Sequence, residues 1–248
     1  MLSSERIKAA VMSYAKGHFG KIEKTLFTRY LDQIGKILEG YKSLTKQEVT
    51  TELQKSGILP TIDHVNLFLT WGEVEGIVCS GIDKGKKTTY ALLDERVPPT
   101  RELCREEALA RLASRYFQSH SPAQLQDFVW WSGLTATECR LAINLIKTEL
   151  ITETFDSREY FIHQSWKGKN ESKPVLRLLP AFDEYLISYK NRTDVLPLEH
   201  HPKAFNRFGT FYPVILYNGK IIGNWSRSIK KNTIQIEMDF FEKKPRIP

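Results

Sequence analysis

Two adjacent acids, Asp183 and Glu184, are the residues best suited by type to acid or base chemistry. They lie in the segment LLPAFDEYLISYKNR, residues 178–192. Paired carboxylates can give and take protons as general acid and base. Adjacent acids also serve as helix caps or salt-bridge partners, so both interpretations stay open. The catalytic residues are therefore unassigned, with this pair as the candidates.

Other catalytic and metal-binding patterns are missing from the sequence. It has no G-x-S-x-G, P-loop, H-E-x-x-H or Gly-rich dinucleotide pattern. The three cysteines, Cys79, Cys104 and Cys139, are far apart and form no C-x-x-C. His200-His201 beside Glu199 is interpreted as a loop cluster. The sequence therefore predicts no metal and no cofactor, and the cysteine pattern favours a reducing compartment.

One predicted helix, Thr135–Leu150, carries side chains suited to nucleic acid. Its apolar residues fall on one face, and Thr137, Arg140, Asn144 and Lys147 share the opposite face. Arg, Asn and Lys are side chains that contact base edges or phosphates. A solvated helix face is the alternative. These four residues are predicted DNA contacts.

Lysines form two further candidate contact sets. Lys84, Lys86 and Lys87 lie in a predicted turn, where long side chains can reach a phosphate. The helix before that turn presents Asp63, Asn66, Thr70 and Glu73, whose carboxylates would repel phosphates. The second set is expected to cluster near Asn224 and Trp225 as a backbone-gripping patch, and consists of Lys220, Arg227, Lys230 and Lys231. Simple surface charge is the alternative for both sets.

Two stretches of the chain, residues 43–92 and 121–162, repeat the same pattern. Each opens with Ser and a short helix that ends in Ser-Gly, continues with a longer amphipathic helix, and finishes with two β-like runs around a polar turn. This order is typical of winged-helix DNA-binding modules. Within the first repeat, Thr45 and Glu48 predict a capping box. Within the second, Ser121 is the predicted N-cap, with Pro122 at the first helical position.

The flanking segments complete a three-domain plan. A helix over 5–16 is expected to break at Gly17 and Gly20, and a second follows over 21–39 with Leu26, Ile34 and Leu38 in its apolar stripe. Linkers are predicted at 94–100 and 166–174. Beyond them, alternating runs around Asn218-Gly219 predict a β-hairpin, with a helical insertion near 182–190.

The predicted fold class is thus α+β, with tandem winged-helix modules followed by a small antiparallel β-barrel-like domain. The expected domains are residues 1–97 (N-terminal helices and first winged helix), 98–165 (second winged helix) and 166–248 (C-terminal β domain).

Charge is uneven along the 248 residues, whose net charge is +7. Residues 1–156 contain 20 basic and 20 acidic side chains, whereas residues 157–248 contain 16 and 9. A basic surface attracts nucleic acid or anionic lipid. No stretch reaches the roughly 20 apolar residues of a membrane span, and the first residues lack a signal-peptide core. We expect a cytoplasmic protein that binds double-stranded DNA, whether intact or damaged, and no membrane.

Four long motifs resemble the winged-helix proteins that include the AlkZ-type and YcaQ-type DNA glycosylases. They are GKKTTYALLDERVP (85–98), SPAQLQDFVWWSGLT (121–135), LLPAFDEYLISYKNR (178–192) and FYPVILYNGKIIGNW (211–225). The resemblance covers most of residues 1–240. It implies tandem winged helices, a C-terminal β-barrel-like domain, and excision of alkylated bases or unhooking of crosslinks by hydrolysis of N-glycosidic bonds.

This sequence departs from that family at its start. The resemblance implies a catalytic Gln-x-Gln (or Gln-x-Asp/Glu) motif in an N-terminal winged helix upstream of the segment that begins here at Ser3. Gln124-Leu125-Gln126 fits the pattern but lies in a later module, and we interpret it as coincidence. We expect an N-terminally short family member, by truncation, by the choice of segment or by a misplaced start.

Three functions follow as hypotheses. The first is a DNA-binding protein related to repair glycosylases but without their catalytic Gln-x-Gln module. The second is an active glycosylase on alkylated or crosslinked DNA, as a longer gene product or with acid and base groups elsewhere. The third is a winged-helix transcription regulator, since fold alone does not fix function.

Overall fold

The computed structural model describes residues 4–19, 24–57, 61–168, 174–231 and 233–243. It shows a mixed fold of helices and antiparallel strands. The chain divides into two compact units, one within residues 2–102 and one within residues 103–248. Of the helices in these ranges, none is long and apolar enough to cross a membrane.

The first unit consists of helices packed on a small sheet. Its helices are α1 (Ser4–Phe19), α2 (Lys24–Leu38), α3 (Lys46–Lys55), α4 (Ile62–Val74) and α5 (Leu93–Arg96). Its strands are β1 (Leu44–Thr45), β2 (Val78–Ser80) and β3 (Thr89–Leu92), hydrogen-bonded in the order β1-β3-β2. The predicted capping box at the start of α3 is confirmed: Thr45 Oγ1 accepts from Glu48 N, and Thr45 N donates to the Glu48 carboxylate.

The core of this unit differs from the predicted helix stripe. Ile34 and Leu38 are buried as expected, but Leu26 is 38% exposed and Phe27 takes the core position. The Phe27 ring packs edge-on against Phe68 of α4, with centroids 5.2 Å apart. Both registers satisfy helical spacing, and the tertiary contact selects the one that buries the larger ring.

Two predicted boundaries in this unit are wrong. Gly17 lies inside α1, where a glycine costs only about 1 kcal/mol relative to alanine and does not end a packed helix. The predicted linker over 94–100 begins within α5, which ends just before Pro98-Pro99. The expected break at Gly20, the start of the second helix at 21–23, Pro60 and residues 169–173 of the second linker lie outside the described residues.

The second unit begins with three helices and a β-hairpin. They are α6 (Arg105–His120), α7 (Leu125–Ser132), α8 (Ala136–Leu145), β4 (Leu150–Phe155) and β5 (Arg158–His163), with a 3₁₀ turn at Lys147–Glu149. Asp156 and Ser157 both have positive φ (48° and 60°), which gives the primed turn that matches strand twist. Tyr116, Phe117 and Phe128 are buried between these elements.

The start of α7 was predicted incorrectly. Its N-cap is Gln124, whose backbone N donates to Asp127 Oδ2 at 2.9 Å. Ser121 instead accepts from the backbone N of His163 at 2.8 Å, and its hydroxyl donates to the carbonyl of Phe117. The segment before α7 therefore pairs with β5, through an antiparallel bridge between Ala123 and Phe161.

The rest of the second unit is an antiparallel sheet with two short helices. Its strands are β6 (Leu176–Leu179), β7 (Val214–Tyr217), β8 (Lys220–Lys230) and β9 (Thr233–Phe240), in the order β6-β7-β8-β9. The helices are α9 (Glu184–Ile187) and α10 (His201–Ala204), the latter preceded by a 3₁₀ turn at Leu198–His200. The predicted hairpin is confirmed, because Tyr217 pairs with Lys220 around Asn218-Gly219. Closure into a barrel stays a prediction.

Candidate nucleic-acid interface

The exposed face of α8 carries three of the four predicted contact residues. Thr137, Arg140 and Asn144 are all exposed, while Cys139 and Ala142 on the other face are buried. The helix starts from a capping box in which Thr135 Oγ1 accepts from Glu138 N, and the Glu138 carboxylate also pairs with Arg105. Because the cap fixes where the helix begins, it also fixes which residues face solvent.

The predicted helix is too long at its C-terminal end, which changes the position of Lys147. The α-helix ends at Leu145, and Lys147 begins the 3₁₀ turn that follows Ile146. Lys147 is exposed but does not extend the helical spacing of Arg140 and Asn144. The side chains of Arg140, Asn144 and Lys147 make no hydrogen bond or ion pair within the described part of the chain, so they are available to a ligand.

The three lysines of the first unit differ in availability. Lys84 Nζ lies 2.8 Å from Oε1 of Glu48, and this interaction is the largest cause that lowers the pKa of Glu48 to about 2. Lys86 and Lys87 are exposed in a turn whose ends are joined by two backbone hydrogen bonds between Lys84 and Lys87. The turn therefore directs one lysine to the protein and leaves two facing solvent.

The acidic face of α4 is present as predicted. Asp63, Asn66 and Glu73 are exposed and Thr70 is half-buried. Partial burial raises the pKa of the Glu73 carboxyl. Two carboxylates on this face disfavour a phosphate there, so Lys86 and Lys87 remain the better candidates in this unit.

The basic residues of β8 are farther apart than predicted. Lys220 begins the strand and Lys230 ends it, so their separation along an extended strand is about 34 Å. The expected proximity of Lys220 to the other three is wrong, because β8 continues through the predicted turn as one strand. Lys220 Nζ instead donates to the carbonyl of Asp194. Arg227, Lys230 and Lys231 are all exposed.

The β8–β9 hairpin extends beyond the rest of its sheet. Its two faces differ because side chains alternate along a strand. Arg227 and Ile229 pair with Ile236 and Ile234 on one face, and these isoleucines are 49–68% exposed. Lys230 belongs to the opposite, polar face. The hairpin therefore presents cationic and apolar side chains on an extended arm.

The two candidate acids have different partners. Asp183 Oδ1 accepts from the backbone N of Tyr185 at 2.9 Å and caps α9, which is the structural alternative raised above. Glu184 accepts from the hydroxyl of Ser188 and lies 3.5 Å from Nε2 of His120. Ser188 Oγ is itself 3.1 Å from that nitrogen. Of the two candidate acids, Glu184 is therefore the one whose exposed carboxylate has a side chain beside it that can carry a proton, an arrangement that could move a proton.

Sequence reasoning missed the partner of the histidine cluster. His201 Nε2 lies 3.2 Å from the carbonyl of Leu196 and does not join the cluster, whereas Glu242 lies 3.4 Å from Nε2 of His200. One ligand atom each from Glu199, His200 and Glu242 lies within 4.8 Å of the others. These three could hold a divalent cation. Glu242 is 42 residues from His200, so no local motif signals the arrangement.

A second missed cluster joins α6 to the hairpin of β4 and β5. Ser114 Oγ donates to Glu149 Oε2 at 2.7 Å, and Nε2 of the buried His163 lies 3.2 Å from the same oxygen. These hydrogen bonds lower the pKa of the Glu149 carboxyl. The cluster borders an open groove of about 350 Å³ that Arg111 and Arg115 also line. Spacing along α6 places both arginines on one face, but only the structure adds Glu149.

The Gln-x-Gln segment has structural partners. Gln124 caps α7, and Gln126 Oε1 lies 3.5 Å from Nζ of Lys190. Gln235-Ile236-Glu237 also fits the broader Gln-x-Glu pattern, and there Gln235 Nε2 donates to Glu237 at 3.2 Å on exposed β9.

Comparison with known proteins identifies the relatives of this chain. A curated relative, the interstrand DNA cross-link repair glycosylase of Streptomyces sahachiroi, is 25% identical over 209 residues, which is 78% of this chain and 56% of that protein. The chain thus spans little more than half the length of that relative. The solved structure of the Streptomyces sahachiroi DNA glycosylase AlkZ superposes with a TM-score of 0.70 at 19% identity, covering 99% of this chain and 71% of that one.

The superposition shows a shared fold. The family model described as DNA glycosylase AlkZ-like matches residues 4–244, nearly the whole chain. This chain therefore belongs to the AlkZ-like DNA glycosylase family.

Proposed function

We propose that this chain binds double-stranded DNA that carries damage or a crosslink. Membership of the family, and the repair of interstrand DNA cross-links by the curated relative, support this substrate. The observation that carries the proposal is the exposed face of α8, where Arg140 and Asn144 lack protein partners among the described residues and have the chemistry to contact bases or phosphates.

We further propose that the two repeats act as winged-helix modules. In the second repeat, α7 is capped by Gly133, which has a φ of 67°. Helix α8 follows α7 after a short turn, and the hairpin of β4 and β5 comes next in the chain. This order supports α8 as the helix that enters the major groove. Lys86 and Lys87 would contact phosphates from the corresponding turn of the first module. We propose that the domain with the first module ends at residue 97 and that the second module ends at residue 165.

The β8–β9 hairpin supports a second contact with the duplex. Arg227, Lys230 and Lys231 supply positive charge, and exposed isoleucines on one face are suited to a groove wall. Phosphate contacts of this kind release condensed counterions, so affinity should fall steeply with salt.

A salt series on a labelled duplex tests this function. Anisotropy of fluorescent DNA is measured at increasing salt, first with intact and then with alkylated or crosslinked duplex. We expect the chain to bind at low salt, and the logarithm of its association constant to fall linearly with the logarithm of the salt concentration. Absence of binding to every duplex at low salt would contradict the proposal for this chain.

Hydrolysis of an N-glycosidic bond is a second candidate function. The position of the Glu184 carboxylate favours it. This exposed carboxylate lies near Ser188 and His120, which can hold or relay a proton. Alkaline cleavage of alkylated duplex after incubation reports abasic sites. We expect strand breaks with the wild-type chain and fewer with Glu184→Gln. No breaks at high protein concentration would leave DNA binding as the activity of this chain.

A further inference from the structure

Phe208 lies at the tip of a loop between α10 and β7, and its side chain is 79% exposed. A single exposed apolar residue is common on protein surfaces and by itself indicates nothing. This loop differs from an ordinary one in how firmly its backbone is held and in what surrounds the ring.

A network of hydrogen bonds centred on Asn206 fixes the loop. Asn206 Oδ1 accepts from the backbone N of Phe208 at 2.9 Å and of Thr210 at 3.1 Å. Asn206 N donates to the Thr210 carbonyl at 3.0 Å, and Gly209 turns the chain with a φ of 80°. Asn206 Nδ2 also donates to the hydroxyl of Tyr212 at 3.2 Å. The backbone that carries Phe208 is therefore preorganised.

The base of the loop is anchored in the core. Phe205 and Phe211 form an antiparallel bridge, and their rings lie 5.0 Å apart. The guanidinium of Arg192, a largely buried side chain, lies 5.2–5.3 Å from both ring centroids. Phe211 is buried and Phe205 is half-buried, so the base of the loop is held by the core while Phe208 is exposed at its tip.

Arg207 places a positive charge beside the Phe208 ring at the tip of the loop. Its guanidinium carbon lies 4.8 Å from the centroid of the Phe208 ring. An aromatic face beside a guanidinium suits a nucleobase and its phosphate, because every base has a face that can stack and every nucleotide a negative charge.

The loop lies at the end of the sheet from which the basic hairpin extends. β7 starts at Val214 opposite Asn224, and β8 continues six residues past that point to Lys230. The side-chain amide of Asn224 donates to the carbonyl of Pro213 at 3.0 Å, which ties the loop to the hairpin root. A duplex held by Arg227, three residues past Asn224 on β8, would therefore approach the loop.

We infer that Phe208 stacks on a nucleobase that has lost its pairing partner, with Arg207 at the neighbouring phosphate. This inference rests on the proposed DNA binding and adds a recognition element for unpaired or unstacked bases. Base stacking on an aromatic residue is sequence-tolerant, so the loop would recognise disrupted pairing rather than a sequence.

Competition between two labelled duplexes tests the inference. They share one sequence, and one contains a base opposite an abasic site. We expect the wild-type chain to prefer that duplex by on the order of tenfold, and Phe208→Ala to lose the preference while affinity for the paired duplex stays within about threefold. Phe208→Tyr should keep the preference. Leu198→Ala, which removes another exposed apolar side chain nearby in sequence, is the matched control and should keep it too.

The outcomes separate this inference from the function on which it rests. A wild-type chain that binds both duplexes equally, or a preference that survives in Phe208→Ala, overturns the role of Phe208 and leaves DNA binding intact. Failure of the wild-type chain to bind either duplex at low salt overturns the proposed function, and with it this inference.

Discussion

The ammonium group of Lys84 lies 2.8 Å from the carboxylate of Glu48, 36 residues earlier in the chain. The same carboxylate accepts from the backbone N of Thr45 at 2.7 Å, at the start of α3. One acid thus caps a helix and fixes a turn. This pairing reduces the availability of Lys84 to DNA compared with Lys86 and Lys87.

Glu48→Gln should change how stability depends on pH. Lys84 and Thr45 lower the pKa of Glu48 from 4.5 to about 2. A carboxyl with a depressed pKa contributes stability that is present above pH 4.5 and lost as the pH falls toward 2. The variant should therefore lose less stability between pH 4.5 and 2 than the wild type, measured by thermal unfolding. Lys84→Met should act in the same direction. If both variants lost as much stability as the wild type between pH 4.5 and 2, the role of this pair would be contradicted.

Arg140→Ala with Asn144→Ala should weaken duplex binding by about tenfold or more, because each substitution removes a side chain that contacts a base or a phosphate. Anisotropy at one low salt concentration measures the change. Arg177→Ala removes an exposed arginine from β6, outside the proposed contacts, and serves as control. Equal affinities of the double variant and the control would exclude α8 from the interface.

Lys230→Glu with Lys231→Glu should weaken binding and also reduce its dependence on salt. Each lost phosphate contact lowers the slope of log affinity against log salt by about 0.9. A slope measured over a salt series distinguishes this effect from a general loss of folding. Lys230→Arg with Lys231→Arg keeps the charge and should keep the slope. A wild-type slope in the variant with Lys230→Glu and Lys231→Glu would show that the hairpin does not contact DNA.

Thr135→Ala should destabilise the second unit by about 1 kcal/mol, because it removes the side-chain acceptor at the start of α8. Urea unfolding followed by circular dichroism measures the difference. Thr137→Ala, two residues later on the exposed face, is the control and should leave the midpoint nearly unchanged. A similar shift for both variants would show that the cap is not the source of the stability.

Local features of this chain were predictable from sequence because their causes are local. Thr45 with Glu48 forms its capping box, Asn218-Gly219 makes its hairpin turn, and the paired runs around Asp156-Ser157 form β4 and β5. Each depends on side chains within a few residues and on backbone preferences that those residues carry. The family followed from long motifs by resemblance, and the family match confirms it.

Tertiary structure decided the features that depend on distant partners. Phe27 rather than Leu26 enters the core because Phe68 faces it, and Gln124 rather than Ser121 caps α7 because Ser121 is hydrogen-bonded to His163. The sequence alone indicated the approximate helices and strands and the polar side chains that they would carry. Which of those side chains remain available depends on contacts between residues far apart in the chain, as Lys84 and Glu48 show, and spacing along a sequence does not contain that information.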